Sequence, residues 1–160
     1  DAGNTVTLAG YINLLNESGL LCGLQKFSID NARRKASIPK LQVYNNALKM
    51  VYNSLSFEQS LLDRKHWGRI FESGIGAYLV SQAFTHRFEV YYWRERNDEV
   101  DFILRKNNSL IAIEVKSNAE KNTSGLDKFR QHFNPDKAFI VGEGGITPEE
   151  FLSMNIKKLF

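Results

Sequence analysis

The run Glu99-Val-Asp101-Phe-Ile-Leu104, a short polar turn, and the run Ile111-Ala-Ile-Glu114-Val-Lys116 constrain this chain's fold more than any other stretch. Both alternate and are rich in β-branched and aromatic residues, and Asn107-Asn108 between them favours a tight reversal, which together predict a β-hairpin. A two-residue turn centred on that pair fixes the register: Lys106 faces Ser109, Ile103 faces Ala112, Asp101 faces Glu114 and Glu99 faces Lys116. Val100, Phe102, Leu104, Ile111, Ile113 and Val115 then share one face, the core face. The opposite face sets two carboxylates against each other with Cβ atoms roughly 5 Å apart, an arrangement that destabilises a sheet unless a positive charge sits between them. Lys116, about 7 Å along the same face from Glu114, is one candidate for that charge. A divalent metal is the other. The plainer reading is a solvated face on which Glu99 pairs with Lys116.

Composition limits the alternatives. A chain of 160 residues, 42% apolar and 24% charged, has room for one ordinary domain, or one with a small appendage. No apolar run approaches ~20 residues and no secretory segment opens the chain, so no membrane span is expected. Cys22 is the single cysteine, with no disulfide or zinc partner, and reads as a small buried hydrophobe. A cytoplasmic location is expected. The start at Asp1 points to a fragment of something longer. The net charge is only +3, yet Lys26, Arg33, Arg34, Lys35 and Lys40 concentrate in residues 20–40 against the single acid Asp30. Such an excess suits a polyanion, or is a solvated, charged turn.

Residues 5–18 read as a helix stopped at Gly19, followed by strands at 20–29 and 38–44 joined by the basic tip at 30–37. That order is similar to the second half of a winged helix, without the helices that normally precede it. A short helix is expected at 56–63 and a long one at 67–84. The long helix contains Gly68, Gly74 and Gly76, whose clustering predicts close packing against a sheet, since each costs about 1 kcal/mol in a helix interior. Glu72 lies at the edge of its apolar stripe. A strand at 88–94, the hairpin, a helix at 124–133, a strand at 137–141 and a helical tail at 147–154 complete the chain. Tyr91 and Trp93 alternate onto one strand face and read as core, although Tyr91 to Arg94 is also a composition that stacks on bases.

An α-β-β-β-α-β order with Glu72 on the first helix, Asp101 on the second strand and Glu114-Val-Lys116 on the third resembles the PD-(D/E)XK nuclease superfamily, with its restriction-endonuclease-like core. Gly68-Arg-Ile-Phe-Glu72, Tyr78-Leu79, Tyr91-Tyr-Trp-Arg94, Glu99-Val-Asp-Phe102, Ile113-Glu-Val-Lys116 and Gly125-Leu126 sharpen the likeness. They resemble the uncharacterised domain, of unknown function, at the C-terminal end of many prokaryotic AAA-type ATPases. The resemblance implies that Asp101 and Glu114, with the Val115 carbonyl, bind Mg²⁺ or Mn²⁺. Lys116 would orient or deprotonate an attacking water, and Glu72 would hold the metal through a water. It implies a parent protein with an N-terminal P-loop ATPase. The chain itself has no G-x-x-x-x-G-K-[S/T], and Gly142-Glu-Gly-Gly145 lacks the residues a phosphate loop needs, so no ATP binding is expected here.

The resulting reading is an α/β (α+β) chain with a partial winged-helix-like segment (1–50), a helical linker (51–66) and a restriction-endonuclease-like domain (67–160). The expected function is metal-dependent hydrolysis of DNA phosphodiester bonds within a larger ATPase, with Arg33, Arg34 and Lys35 on the DNA backbone. The alternatives are a catalytically silent interaction module that regulates the ATPase, or a winged-helix transcription regulator. His66, His86 and His132 share no ligand spacing, which argues against zinc and triad chemistry.

Overall fold

The computed structural model describes residues 4–30, 37–118 and 124–160. Its elements are α1 (Thr5–Glu17), β1 (Leu21–Lys26), β2 (Lys40–Val43), α2 (Ala47–Met50), α3 (Phe57–Leu62), α4 (Arg64–His86) and β3 (Glu89–Glu95). There follow β4 (Asp98–Lys106), β5 (Ser109–Lys116), α5 (Ser124–Phe133), β6 (Lys137–Gly142), α6 (Pro148–Ser153) and a 3₁₀ turn, Ile156–Leu159. The strands form one mixed sheet in the order β2-β1-β3-β4-β5-β6. β3, β4 and β5 run antiparallel in sequence, while β5 and β6 are parallel and joined through α5. Parallel neighbours require such a crossover. From α4 onward the order is α-β-β-β-α-β, as the hydrophobic periodicity predicts.

Caps set the helix boundaries. Ser56 and Gln59 close a capping box at α3, and the Asp63 carboxylate accepts the His66 N–H, which starts α4 three residues before the expected position. Thr147 caps α6 ahead of Pro148.

Both faces of the sheet are covered. On one, Ile75, Leu79 and Val80 of α4 pack on Phe102, Leu104, Ile111, Ile113 and Val115, and Phe151 of α6 closes the edge. On the other, Leu126 and Phe129 of α5 pack on Phe27, Tyr91, Trp93, Ile103 and Ala112. Burial contributes about 1.5–3 kcal/mol for each large side chain, and this core is dense in them. Tyr91 and Trp93 therefore belong to the core. Cys22 is half-buried against the first cluster, and burial pushes its thiol up, away from reactivity.

Gly76 is where α4 comes closest to the sheet. A Cβ there would lie 2.2 Å from Gln42 Oε1 and 2.8 Å from the Phe102 ring, so only glycine fits. Residues of the N-terminal segment are thus part of the same sheet and packing: β1 pairs with β3 and β2 lies against α4, with the Gln42 amide donating to Ser73 O at 3.0 Å. On α1, Leu8, Tyr11 and Leu14 remain exposed.

Candidate functional site

The hairpin register matches expectation from Lys106–Ser109 up to Phe102–Ile113. Beyond that point the structure departs from simple alternation. Tyr91 opposes Ile103 while Trp93 opposes Val100, so two steps along β3 match three along β4, and a bulge falls at Asp101-Phe102. Val100 therefore packs with Ile103 in the second cluster, not with Phe102 and Leu104 as period-two alternation places it. A bulge adds one residue to a strand and re-aims the side chain it carries. Here that side chain is Asp101, 1% exposed. Its Oδ2 accepts the Val115 N–H at 2.8 Å, which sets the carboxylate against the peptide joining Glu114 to Val115.

Asp101 faces a cation. Lys40, from β2, places Nζ 2.5 Å from Glu72 Oε1 on α4 and 3.7 Å from Asp101 Oδ1, with the amine 5.3 Å above the Phe102 ring centre. Burial pulls its amine down, but the Glu72 and Asp101 carboxylates outweigh this and hold it above the ordinary lysine range, so it is charged at neutral pH. By sequence, Lys40 lies in the strand at 38–44 and counts only toward the basic excess of residues 20–40. No local pattern marks it as a site residue; the signal lies in β2 being fastened to α4 by Gln42 and by Asn46, whose Nδ2 donates to Ile70 O at 3.1 Å.

Glu114 and Lys116 are 4% and 5% exposed, side chains that rarely leave water without function or compensation. Ile111, Ile113 and Val115 pack in the first cluster, so the alternation of β5 directs Glu114 and Lys116 away from those apolar side chains. At the end of β5, Gly142 has φ +105°, and a Cβ there would lie 2.0 Å from Lys116 O, so the β6 turn presses on the lysine backbone. A cleft of ≈ 470 Å³ opens at the same end, between Trp67 and Phe71 of α4, Lys116 and Ser117, and the turn at Gly142–Gly145. Clefts at the C-terminal ends of parallel strands are the usual ligand position in open α/β sheets.

The structure thus brings together Asp101 with the Glu114–Val115 peptide, and Glu72 with Asp101 through Lys40. Glu99 lies across from Arg94, Oε2 to Nε at 4.0 Å. Among the described residues no group of three or more His, Cys, Asp and Glu side chains is placed to hold a metal. Arg33, Arg34 and Lys35 lie outside the described residues. No helix among the described residues is long and apolar enough to cross a membrane. Residues 67–152 match the family described as Domain of unknown function (DUF4143). No curated protein and no solved structure matches the chain.

Proposed function

The chain belongs to the DUF4143 family, and within it we propose a metal-dependent nuclease role: hydrolysis of DNA phosphodiester bonds using Asp101, Glu114 and Lys116, in a protein that also carries an ATPase. The observation that carries this reading is the burial of all three side chains where the β4 bulge ends the hairpin ladder. A fold has no structural need for two acids and a lysine in its least solvated layer, and such groups cluster where chemistry is done.

The donor set suits a hard cation. Mg²⁺ is commonly held by one or two carboxylates with the substrate's own phosphates, so Asp101 and Glu114 with the Val115 carbonyl would be sufficient. When bound, the ion supplies Lewis-acid charge at the scissile phosphate. Lys116 would orient a water for in-line attack and offset the charge that develops on phosphate oxygen. Glu72 would act through its neighbours, and the basic tip with Arg33, Arg34 and Lys35 would hold the DNA backbone.

Calorimetric titration with Mn²⁺ should reveal one weak site that is lost in Glu114→Gln. Lys116→Ala should keep that site and cut cleavage of single-stranded, duplex or branched DNA by roughly 10²-fold or more. Equal Mn²⁺ binding by wild type and Glu114→Gln removes the metal assignment. The engagement of Asp101 by Lys40 favours a second reading, an interaction module without chemistry. Metal binding without cleavage of any of these DNAs, with the ATPase-containing protein present, would leave that reading as the answer.

A further inference from the structure

The cation at Asp101 comes from outside the residues that match the family. Lys40 stands on β2, before residue 67, and it contacts carboxylates from two other elements, Glu72 of α4 and Asp101 of β4. We propose that Lys40 is a resident counter-ion occupying the cation position beside Asp101, and that it sets the affinity of this site for divalent metal. Strand β2 then controls metal loading at carboxylates it does not itself supply. This inference rests on the reading of Asp101 and Glu114 as metal ligands.

The placement of Lys40 is built, not incidental. Gln42 donates to Ser73 O at 3.0 Å and Asn46 to Ile70 O at 3.1 Å, which fix β2 and the segment after it along α4. On the near side of Lys40, the Tyr92 hydroxyl donates to Ile38 O at 2.6 Å. The Phe102 ring lies under the amine and favours a cation there. A divalent ion arriving at Asp101 meets an amine 3.7 Å from that carboxylate or displaces it, and either outcome weakens binding. Displacement has a route, because the Lys40 side chain keeps 30% exposure and borders a cleft of ≈ 330 Å³ with Lys49, Arg69 and Glu72. Lys49 and Arg69 make that cleft electropositive, so the amine is biased back toward the two carboxylates.

The test is a Mn²⁺ titration of the full chain by calorimetry, with wild type, Lys40→Gln, Lys40→Met and Lys40→Arg, and with Glu114→Gln in the wild-type and Lys40→Gln backgrounds. Lys40→Gln and Lys40→Met should bind about tenfold tighter or more, Lys40→Arg should match wild type, and Glu114→Gln should abolish the gain. Thermal unfolding gives an independent readout: saturating Mn²⁺ should raise the Tm of Lys40→Gln more than that of wild type. Lys40→Gln keeps a polar group for Glu72, so comparison with Lys40→Arg carries the test if Lys40→Met fails to fold. Unchanged affinity in Lys40→Gln, with binding still lost in Glu114→Gln, overturns the role of Lys40 and leaves the metal site standing. Absence of Mn²⁺ binding in every variant, Lys40→Gln included, overturns both.

Discussion

Asp101 does two jobs with one carboxylate: Oδ2 replaces a ladder carbonyl for the Val115 N–H, and Oδ1 faces Lys40. These can be separated by substitution. Asp101→Asn keeps an acceptor for Val115, whereas Asp101→Ala removes the Oδ2 acceptor from this buried bond at the end of the hairpin, a loss of about 1–3 kcal/mol. Urea denaturation should rank wild type and Asp101→Asn above Asp101→Ala by that amount, and equal midpoints for the two variants would show that the Val115 bond does not hold the ladder end. The hairpin register was legible because alternation and an Asn-Asn turn are local signals. The bulge was not, since it arises from the pairing of β4 with β3, a partner that no pattern within residues 98–116 reveals. Lys40 was invisible as a site residue for a similar reason: a charge in a basic run is indistinguishable by sequence from its neighbours until β2 is laid on α4.

At the level of elements, the glycines of α4 show how far pattern reading reaches. Their clustering predicts close packing, yet the structure assigns the three positions different weights. At Gly74 a Cβ would meet Asn46 Nδ2 at 3.7 Å, an ordinary contact, whereas at Gly76 it would collide with the Gln42 amide and the Phe102 ring. The amide cannot swing away without breaking its bonds to Val43 O at 2.9 Å and Ser73 O at 3.0 Å. Gly76→Ala should therefore destabilise the fold by about 1–3 kcal/mol through overpacking. Gly74→Ala should be neutral or stabilising by up to about 1 kcal/mol, the helix-propensity gain. Guanidinium melts of the two variants give the comparison, and a similar shift for both would mean that the α4–sheet contact yields more readily than its geometry indicates. Sequence located the helix and its buried stripe; it could not say which glycine touches β2, because that contact joins residues 34 positions apart, Gly76 and Gln42.

For the whole molecule, two carboxylates fasten the α5–β6 unit to the central hairpin, and both respond to acid. Asp136, ahead of β6, accepts the Leu110 N–H at 2.8 Å and the Ser109 hydroxyl at 2.9 Å, and these bonds hold its carboxyl below the usual range. Asp98, at the start of β4, is held low by Lys128 and then by the Ser124 hydroxyl, which ties it to α5. A carboxylate with a folded pKa below its unfolded value adds stability that is fully present above the unfolded pKa, about 4, and is lost as pH falls through the folded value. Wild type should therefore lose stability below about pH 4. The Asp98→Asn/Asp136→Asn double variant, with neutral groups at every pH, should start lower at pH 7 and lose less on acidification. Acids common to both proteins contribute alike and cancel in the difference. Urea midpoints measured from pH 7 to pH 2.5 should converge at the acid end, since protonated aspartate and asparagine are then similarly uncharged. Two curves separated by a constant offset across that range would show that neither carboxylate clamps the unit through its charge.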